Sequence, residues 1–395
     1  MPFAQRLQSH LPYDASPMRI IYLINGLNGG GAAFPMMQVI GLMRELGHDV
    51  EVLALMLQDG KAGSRLKEAG IPFEVLGRST SDNLRQTKAL IHHLRARRPS
   101  LIWTSLTRGT LYGQVIGGLM RIPVVSWQHS DYLKPGNLAA LRLTRRLTRM
   151  WVADSDSVMA FVHDRLGVST NRIATWPPFV CDPALLTVSP WRRNGSVPFR
   201  LGTLGRLHHS KQYDVLLRAY ARARRLDPAL AQRTELVLAG DGPEQDALIR
   251  LANQLGIAHV TRFVGFVDRP ADFLASLHGY VQTSLKEGFC IALHEAMQAA
   301  LPVITTRVGQ PAFSVRPGHT GWVCEVGDVD ALAAAMVALV GDPEAAADIG
   351  RAARTFVLDR YSRANFRSVG ERLVQDIERQ LGLAVPRPAA PRSPV

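Results

Sequence analysis

The stretch TSLKEGFCIALHEAMQAALPVITT, from Thr283 to Thr306, decides more of the fold than any other part of this chain. A Gly-Phe turn follows Glu287, an apolar helix carries Glu295, and a β-rich run from Leu301 to Thr305 comes after the helix. The unpaired N–H groups and the dipole at the start of such a helix favour phosphate. We therefore expect Glu287 at the mouth of an anion site and Glu295 roughly two turns into the helix.

The spacing of Glu287 and Glu295 limits what the two acids can do together. Because a helix rises about 1.5 Å per residue, we expect these carboxylates to be roughly 12 Å apart. The paired carboxylates of a glycoside hydrolase lie within about 5 to 9.5 Å of each other. We therefore expect Glu287 and Glu295 to hold opposite ends of one elongated ligand, with a sugar, phosphates and a ribose in that order. Small residues at Gly288 and Cys290 would let backbone N–H groups approach it closely.

Strand and helix patterns alternate on both sides of a break in composition. In the first half, MRIIYLING (18–26) reads as a strand, FPMMQVIGLMRELG (34–47) as a helix and HDVEVLAL (48–55) as the next strand. The break, TVSPWRRNGSVP (187–198), precedes a second series that begins at Phe199. This alternation predicts an α/β fold with two Rossmann-like doubly wound domains facing across a cleft. Ligands of such sheets bind outside the carboxyl ends of the strands.

These patterns predict an order of segments along the chain. Both ends are rich in proline and are expected to be disordered. The predicted segments are a disordered N-terminal segment (1–17), an N-terminal domain (18–186), a linker (187–198), a C-terminal domain (199–362), a C-terminal helix (363–384) and a disordered tail (385–395).

Composition restricts the class of protein. The chain has 395 residues, of which 47% are hydrophobic and 20% charged. No apolar run reaches the roughly 18 residues of a membrane-spanning helix, and the N-terminal residues lack the apolar core of a signal peptide. The three cysteines lie far apart with no Cys/His cluster, so we expect neither a disulfide framework nor a metal site. A reduced, cytoplasmic protein is the expectation.

The net charge of +13 would attract nucleic acid, an anionic membrane or phosphorylated ligands. No RNP or zinc-finger pattern accompanies the basic residues, so nucleic acid is not an expected partner. Four arginines at i, i+3, i+4 and i+7 predict one basic helical face that is either solvated or in peripheral contact with an anionic membrane: Arg142, Arg145, Arg146 and Arg149.

Two cations follow the first strand of the second half. Gly205 and Arg206 end this strand, and Lys211 opens the next helix. Two cations that converge with a helix N-terminus on one point suit a diphosphate. After the following strand, Gly240-Asp241-Gly242-Pro243 reads as a tight turn that would shape the pocket through its backbone.

Four segments of the second half resemble the motifs of a known family. EGFCIALHEA (287–296) resembles the Glu-x7-Glu motif of the GT-B glycosyltransferases of retaining family 4, the group 1 glycosyl transferases. Three other segments are similar to further motifs of that family, in the expected order and spacing: LGTLGRLHHSKQYDVLLRAY (201–220), LVLAGDGPEQDAL (236–248) and VTRFVGFV (260–267).

The resemblance implies roles for individual residues. Arg206 and Lys211 would bind the diphosphate of a nucleotide-sugar donor and stabilise it as the leaving group. Glu287 would contact the hydroxyls of the donor sugar, Glu295 the ribose hydroxyls, and His129 the sugar near its reacting carbon. The resemblance makes Arg206, Lys211, Glu287 and His129 the expected catalytic residues. It also implies donor contacts at Gly30, Gly31, Gly205, Gly240, Gly242, Val267, Gly288, Phe289, Cys290 and Ile291.

The resemblance also implies an activity. The chain would transfer a sugar with retention of anomeric configuration, without a metal or another cofactor, and a UDP-sugar is the first expectation for the donor. The second domain would bind the donor, and the first would present a glycan, lipid-linked or small-molecule acceptor. The C-terminal helix would return to the first domain. The expected setting is cell-envelope polysaccharide synthesis at the cytoplasmic face of the membrane.

Some positions depart from the family pattern and keep two alternatives open. One alternative is a catalytically inactive binding subunit of a glycan-assembly complex. The other is a sugar phosphorylase or epimerase on the same fold, because a fold does not fix a reaction. The departures are Cys290 in place of Gly, Gln310 in place of a second Gly, Phe313 in place of Glu, and Pro178-Phe179 in place of Asn-Gly.

Overall fold

The computed structural model describes residues 13–15, 17–27, 36–58, 60–185, 187–188, 191 and 197–386. These residues form two compact units. The first unit contains the described residues up to His129, Leu133–Pro178 and those from Ala364 onward. The second contains Ser130–Tyr132 and Phe179–Arg363. The main change of unit therefore comes at Pro178, ahead of the predicted linker at 187–198, which is only partly described.

A parallel sheet forms the centre of the first unit. Its strands are β2 (Arg19–Gly26), β3 (Asp49–Met56), β4 (Phe73–Val75), β5 (Leu101–Ser105), β6 (Val124–Gln128), β7 (Met150–Ala153) and β8 (Ile173–Thr175). They lie in the order β4-β3-β2-β5-β6-β7-β8, and each pair is parallel. The interior of β2 is buried along nearly its whole length, as expected for a parallel strand with helices on both faces.

Helices connect these strands. They are α1 (Met36–Glu45), α2 (Lys61–Glu68), α3 (Asn83–Arg97), α4 (Thr107–Met120), α5 (Pro135–Thr144) and α6 (Asp156–Asp164). Helix α1 buries Met36, Val39, Ile40 and Met43, and it ends before Gly47, whose φ of +92° suits a residue without a side chain.

A second parallel sheet forms the centre of the second unit. Its strands are β9 (Phe199–Leu204), β10 (Thr234–Ala239), β11 (Thr261–Gly265), β12 (Gly279–Gln282), β13 (Val303–Thr306) and β14 (Trp322–Cys324). Their order is β11-β10-β9-β12-β13-β14. The helices are α7 (Tyr213–Leu226), α8 (Pro228–Arg233), α9 (Gln245–Gln254), α10 (Pro270–Ala275), α11 (Ile291–Gln298), α12 (Pro311–Ser314), α13 (Val329–Gly341) and α14 (Pro343–Arg360).

Both sheets have the strand order of dinucleotide-binding folds. The direction of strand succession reverses between β2 and β5 in the first unit and between β9 and β12 in the second. The predicted α/β class with two Rossmann-like doubly wound domains is confirmed. In such sheets the reversal point is where ligands bind, outside the carboxyl ends of the strands.

The last helix, α15 (Arg363–Leu381), packs on the core of the first unit. Leu373, Val374 and Ile377 are buried in the same apolar cluster as strands β2 and β3. Gly370 allows this approach, because a Cβ there would lie 2.4 Å from the Trp176 ring. Beyond α15, β15 (Ala384–Pro386) pairs antiparallel with β1 (Tyr13–Ala15). These two short strands come from the ends of the described chain.

The prediction of one basic helical face was wrong. Helix α5 ends at Thr144, and Arg145–Leu147 form a 3₁₀ turn. The amide of Arg149 then donates to the Val124 carbonyl at 2.7 Å, because the chain is already entering β7 beside β6. Of the four arginines, only Arg142 lies in the α-helix. No described helix is long and apolar enough to span a membrane.

Candidate functional site

The main candidate site lies at the reversal point of the second sheet. Arg206 follows the carboxyl end of β9, and Glu287 lies in the loop after β12. Lys211 was expected to open the helix that follows β9. It instead ends a 3₁₀ turn (His209–Lys211) that lies just before α7. The two loops are joined, because the Leu285 amide donates to the Ser210 carbonyl at 2.9 Å.

Lys211 and Glu287 form a close, largely buried ion pair. The Lys211 Nζ lies 2.6 Å from Glu287 Oε1, and the two side chains are 22% and 11% exposed. Ser284 Oγ donates to the same oxygen at 2.5 Å, and Gln282 Nε2 at 3.3 Å. Thr283 Oγ1 donates to the Lys211 carbonyl at 2.9 Å and so fixes the lysine backbone as well. The cation is held at the strand ends by a network of side chains.

The charge state of Lys211 follows from this network. Burial alone would lower the pKa of Lys211, but the Glu287 carboxylate outweighs that effect and raises it above its ordinary value. Lys211 is therefore a permanent cation at neutral pH. A cation that is already in place and partly removed from water is suited to stabilise negative charge that develops on a ligand.

Arg206 differs from Lys211 in its surroundings. Its side chain is exposed, and it follows Gly205 directly. A Cβ at Gly205 would lie 3.6 Å from Lys211 Cε, so the lysine side chain packs against the residue before the arginine. The two predicted cations therefore lie on the same loop beside each other, one held in the network and the other facing solvent.

The Gly240–Gly242 turn supports the loop that carries Arg206. The Leu207 amide donates to the Asp241 carbonyl at 2.7 Å, and the Gly205 amide donates to the Ala239 carbonyl at 2.9 Å. A Cβ at Gly240 would lie 2.0 Å from the Gly205 carbonyl oxygen, and one at Gly242 would lie 2.3 Å from the Leu207 carbonyl oxygen. The two glycines let the backbones of neighbouring strand-end loops touch.

We expect Gly240→Ala to destabilise the protein by more than about 1 kcal/mol, because φ is +132° and the new Cβ has no room. Gly41→Ala is the matched control: Gly41 lies inside α1 with no atom within 4 Å of a Cβ. That control should stabilise by about 0.5–1 kcal/mol. Urea unfolding of both variants gives the comparison. An equal change in the free energy of unfolding in both variants would contradict the close packing of the loops.

The loop after Glu287 leads into α11 through a strained residue. Cys290 has a φ of +62°, in the left-handed region, and immediately precedes the helix, which starts at Ile291. The Gly288 carbonyl accepts from the Gln310 amide at 2.8 Å, and a Cβ at Gly309 would lie 2.3 Å from the Glu287 carbonyl oxygen. Cys290 therefore keeps a conformation that favours glycine, and Gln310 helps to hold the loop.

Phe289 lies away from the surface of this loop. Its side chain is 3% exposed and stacks on His294 with a ring-centre distance of 4.2 Å. Phe179 and Tyr361 complete an aromatic cluster behind the loop. The expected donor contact of Phe289 can therefore involve only its backbone. Phe313, by contrast, is 57% exposed on α12.

Glu295 is a partly buried carboxylate on α11. It is the fifth residue of the helix, about one turn from its start and not two as expected. Burial raises the pKa of Glu295 from 4.5 to about 7. No ion pair or hydrogen bond to its carboxylate is present among the described residues. Because a buried carboxylate without donors is costly, Glu295 is ready to accept hydrogen bonds from a ligand.

This pKa makes Glu295 a source of pH-dependent stability. Between pH 4.5 and about 7 the folded protein holds a proton that the unfolded chain has released, so this contribution to stability is lost as pH rises through that window. Glu295→Gln removes the effect. We expect the melting temperature of the variant, relative to the wild type, to rise across the window and level off above it. A difference that does not change with pH would contradict the buried carboxylate.

The remaining predicted donor contacts are only partly described. Val267 is half-buried in the loop after β11, and Ile291 is half-buried at the start of α11. Gly30 and Gly31 lie outside the described residues. Of the predicted positions, the structure thus brings Gly205, Arg206, Lys211, Gly240, Gly242 and Glu287 to one edge of the second sheet.

His129 belongs to the first unit, where it follows β6. Its Nε2 lies 2.7 Å from Ser105 Oγ, and its Nδ1 lies 3.4 Å from Asp154 Oδ2. The imidazole is 8% exposed and rests on the Trp127 ring. Ser105 and Asp154 come from the carboxyl ends of β5 and β7. The Ser105 hydrogen bond and the Trp127 ring hold the imidazole in place. Ser105 and Asp154 were not predicted from the sequence, although each stands at the end of an apolar strand.

No group of three or more His, Cys, Asp and Glu side chains in the described part of the chain could hold a metal ion. The cysteines Cys181, Cys290 and Cys324 are buried and unpaired.

Comparisons with known proteins show which proteins this chain is similar to. The chain is 37% identical over 166 residues to glycogen synthase of Mycobacterium tuberculosis, which covers 41% of this chain and 39% of that protein. It is 34% identical over 145 residues to N-acetyl-alpha-D-glucosaminyl L-malate synthase of Bacillus anthracis, which covers 37% and 38%. The matched region thus spans about two fifths of these curated relatives.

A solved structure shares the fold of nearly the whole chain. It is that of the Anabaena protein HepE in complex with UDP-glucose, with a TM-score of 0.78 and 21% identity, covering 92% of this chain and 100% of that one. Residues 29–182 match the family profile described as Glycosyltransferase Family 4, and residues 195–356 that of the glycosyl transferases group 1. The chain therefore belongs to the group 1 glycosyltransferases of family 4, with their GT-B fold.

Proposed function

We propose that this protein transfers a sugar from a nucleoside diphosphate sugar to an acceptor hydroxyl, with retention of the anomeric configuration. The observation that carries the proposal is the Lys211–Glu287 ion pair at the reversal point of the second sheet. It combines a permanent cation with a carboxylate at the edge where ligands of such sheets bind. Glu295 adds an acceptor without a partner on the adjoining helix.

The proposed chemistry is charge stabilisation of the leaving group. When the bond between sugar and diphosphate breaks, negative charge develops on the phosphate oxygens. Lys211 is held rigidly to receive this charge, and the exposed Arg206 is able to move toward it. No covalent intermediate on a carboxylate is required, because the departing phosphate can accept the proton of the acceptor hydroxyl.

Glu287 and Glu295 would orient the donor. The hydrogen bonds that Lys211, Gln282 and Ser284 donate to Glu287 all go to its Oε1, which would leave Oε2 for a sugar hydroxyl. Glu295 would accept from the ribose hydroxyls, in its charged form. A UDP-sugar is the proposed donor, which is supported by the shared fold with the HepE structure that holds UDP-glucose.

His129 would contribute a contact to the donor sugar near its reacting carbon. Ser105 is hydrogen-bonded to Nε2, and the Asp154 carboxylate, 3.4 Å from Nδ1, would favour a proton on that nitrogen. The proposed acceptor is a glycan, a lipid-linked molecule or a small molecule. We further propose that the protein acts in the cytoplasm, in cell-envelope polysaccharide synthesis, in peripheral contact with an anionic membrane. The net charge of +13 supports that contact.

Incubation with radiolabelled UDP-glucose, UDP-galactose and UDP-N-acetylglucosamine tests the proposal. Release of UDP, even slowly to water, is the expected result, and NMR of the product should show the donor's anomeric configuration. Lys211→Ala serves as the control with strongly reduced turnover. Binding of UDP-sugars without turnover over a broad set of acceptors would favour an inactive binding subunit. Turnover that depends on inorganic phosphate would favour a phosphorylase.

A further inference from the structure

A basic cavity opens in the first unit, at the amino ends of β6, β7 and β8. Its volume is about 640 Å³. Ser105, His129 and Asp154 follow the carboxyl ends of β5, β6 and β7, so the cavity lies at the opposite edge of that sheet. Four of the side chains that line it are arginines from three segments of the chain: Arg121, Arg146, Arg149 and Arg172.

Two of these arginines are fixed by the backbone. Arg172 donates from Nε to the Arg149 carbonyl at 3.3 Å and from Nη2 to the Thr148 carbonyl. Arg149 Nη2 donates to the carbonyl of Gln380 in α15 at 3.3 Å. These bonds use only part of each guanidinium and hold its positive charge in place at the cavity wall.

The other two arginines, Arg121 and Arg146, are exposed at the cavity. Neither guanidinium is hydrogen-bonded to an acceptor within the described residues, and no described carboxylate forms an ion pair with any arginine that lines the cavity. Partial burial, followed by the charges of Arg145, Arg146 and Arg149, lowers the pKa of Arg172. The charges that lower this pKa are all positive, and within the described residues the cavity holds several cations with no paired carboxylate.

We propose that this cavity, the arginine pocket, binds the phosphate groups of a ligand. The guanidinium group is planar and always charged at physiological pH, and it pairs with phosphate oxygens through two parallel hydrogen bonds. Arg149 and Arg172 provide a preformed wall, and Arg121 and Arg146 have the free donors that close on the ligand. All the residues that line the pocket belong to the first unit, whereas Lys211 belongs to the second.

Two sources could supply such a phosphate. Exposed leucines lie next to the arginines in sequence: Leu119 is 81% exposed, Leu143 85% and Leu147, which lines the pocket, 45%. Apolar side chains beside arginines suit the headgroup and acyl boundary of a phospholipid. A soluble polyphosphate or phosphate ester would use the same guanidinium groups but would not need the leucines.

The test is binding of inorganic pyrophosphate to the full chain by isothermal titration calorimetry, with the Arg121→Gln/Arg146→Gln variant. Neither side chain supports the described backbone, so the variant should fold like the wild type. We expect pyrophosphate binding at the pocket to weaken roughly tenfold or more, because two charge-assisted contacts are lost. The matched control is Arg95→Gln/Arg98→Gln, which removes two exposed charges near the end of α3 and should bind as the wild type.

Lys211→Ala separates this site from the proposed donor site. It should leave pyrophosphate binding at the arginine pocket unchanged, whether or not the transferase assignment is correct. Flotation with phosphatidylcholine vesicles, with and without phosphatidic acid, then distinguishes the sources. Loss of flotation with Arg121→Gln/Arg146→Gln supports a lipid headgroup, and retained flotation with loss of pyrophosphate binding supports a soluble ligand. Equal pyrophosphate binding by Arg121→Gln/Arg146→Gln and by Arg95→Gln/Arg98→Gln would contradict the proposal that the arginine pocket binds phosphate.

Discussion

Replacing Lys211 by alanine is expected to lower turnover by about 10²–10³, because the variant lacks a fixed cation at the leaving group. The loss should fall on kcat more than on KM, since the charge that Lys211 stabilises is greatest in the transition state. Lys211 Nζ lies 2.6 Å from Glu287 Oε1, which fixes its position before a ligand binds. Steady-state kinetics with a UDP-sugar provide the measurement.

The same substitution also removes the partner of a largely buried carboxylate, so it should lower stability. Arg200→Ala is the matched control, because it breaks the partly buried Arg200–Glu235 pair between β9 and β10 of the same unit. Both variants should lose stability, but only Lys211→Ala should lose turnover when rates are compared per folded molecule. Equal losses of turnover would mean that Lys211 is structural.

Replacing Glu295 by alanine is expected to weaken nucleotide binding about 10- to 100-fold. A charged hydrogen bond contributes about 1.5–3 kcal/mol. Affinity changes about tenfold for each 1.4 kcal/mol or so, which gives this range. Within the described residues nothing pairs with this carboxylate, so its replacement leaves no protein group unsatisfied. Calorimetric titration with UDP measures the change.

Affinity for UDP should also rise as pH increases through about 7 in the wild type, because Glu295 must lose its proton to accept two hydroxyl donors. The variant should lack this dependence. Glu68→Ala, at the end of α2, is the control for the loss of an exposed glutamate. Unchanged UDP affinity in Glu295→Ala would contradict the proposed contact between Glu295 and the ribose hydroxyls.

The sequence was most informative where local patterns decide structure. The run RIIYLING became β2, and the helix expected from Phe34 is present from Met36 to Glu45. The alternation of such strands and helices was enough to predict the doubly wound α/β class. The order of the motifs along the chain was enough to predict the family, and each motif lies at the end of a strand.

The arginines of the predicted basic face show where periodicity misleads. The i, i+3, i+4, i+7 spacing continues through Arg149, but the hydrogen bonds that start β7 take over after the 3₁₀ turn. Tertiary pairing with β6 outweighs the helical pattern. The structure instead places Arg146 and Arg149 at the arginine pocket, with Arg121 and Arg172 from other segments.

The side-chain partners of the site could not be predicted from local sequence. Lys211 and Glu287 are 76 residues apart, and Ser105 and His129 are 24 residues apart. Their contacts depend on which strands become neighbours, and the sequence shows only that each residue follows a strand. Phe289 shows the converse, because a residue beside Glu287 turns into the core instead of toward the ligand.

A crystal structure of the protein with UDP would test directly whether residues of the second unit bind one nucleotide. We predict the diphosphate within hydrogen-bonding distance of Lys211 Nζ and the ribose hydroxyls at the Glu295 carboxylate. A nucleotide bound elsewhere, with Lys211 still paired only to Glu287 and the Glu295 carboxylate facing no ligand, would contradict the account.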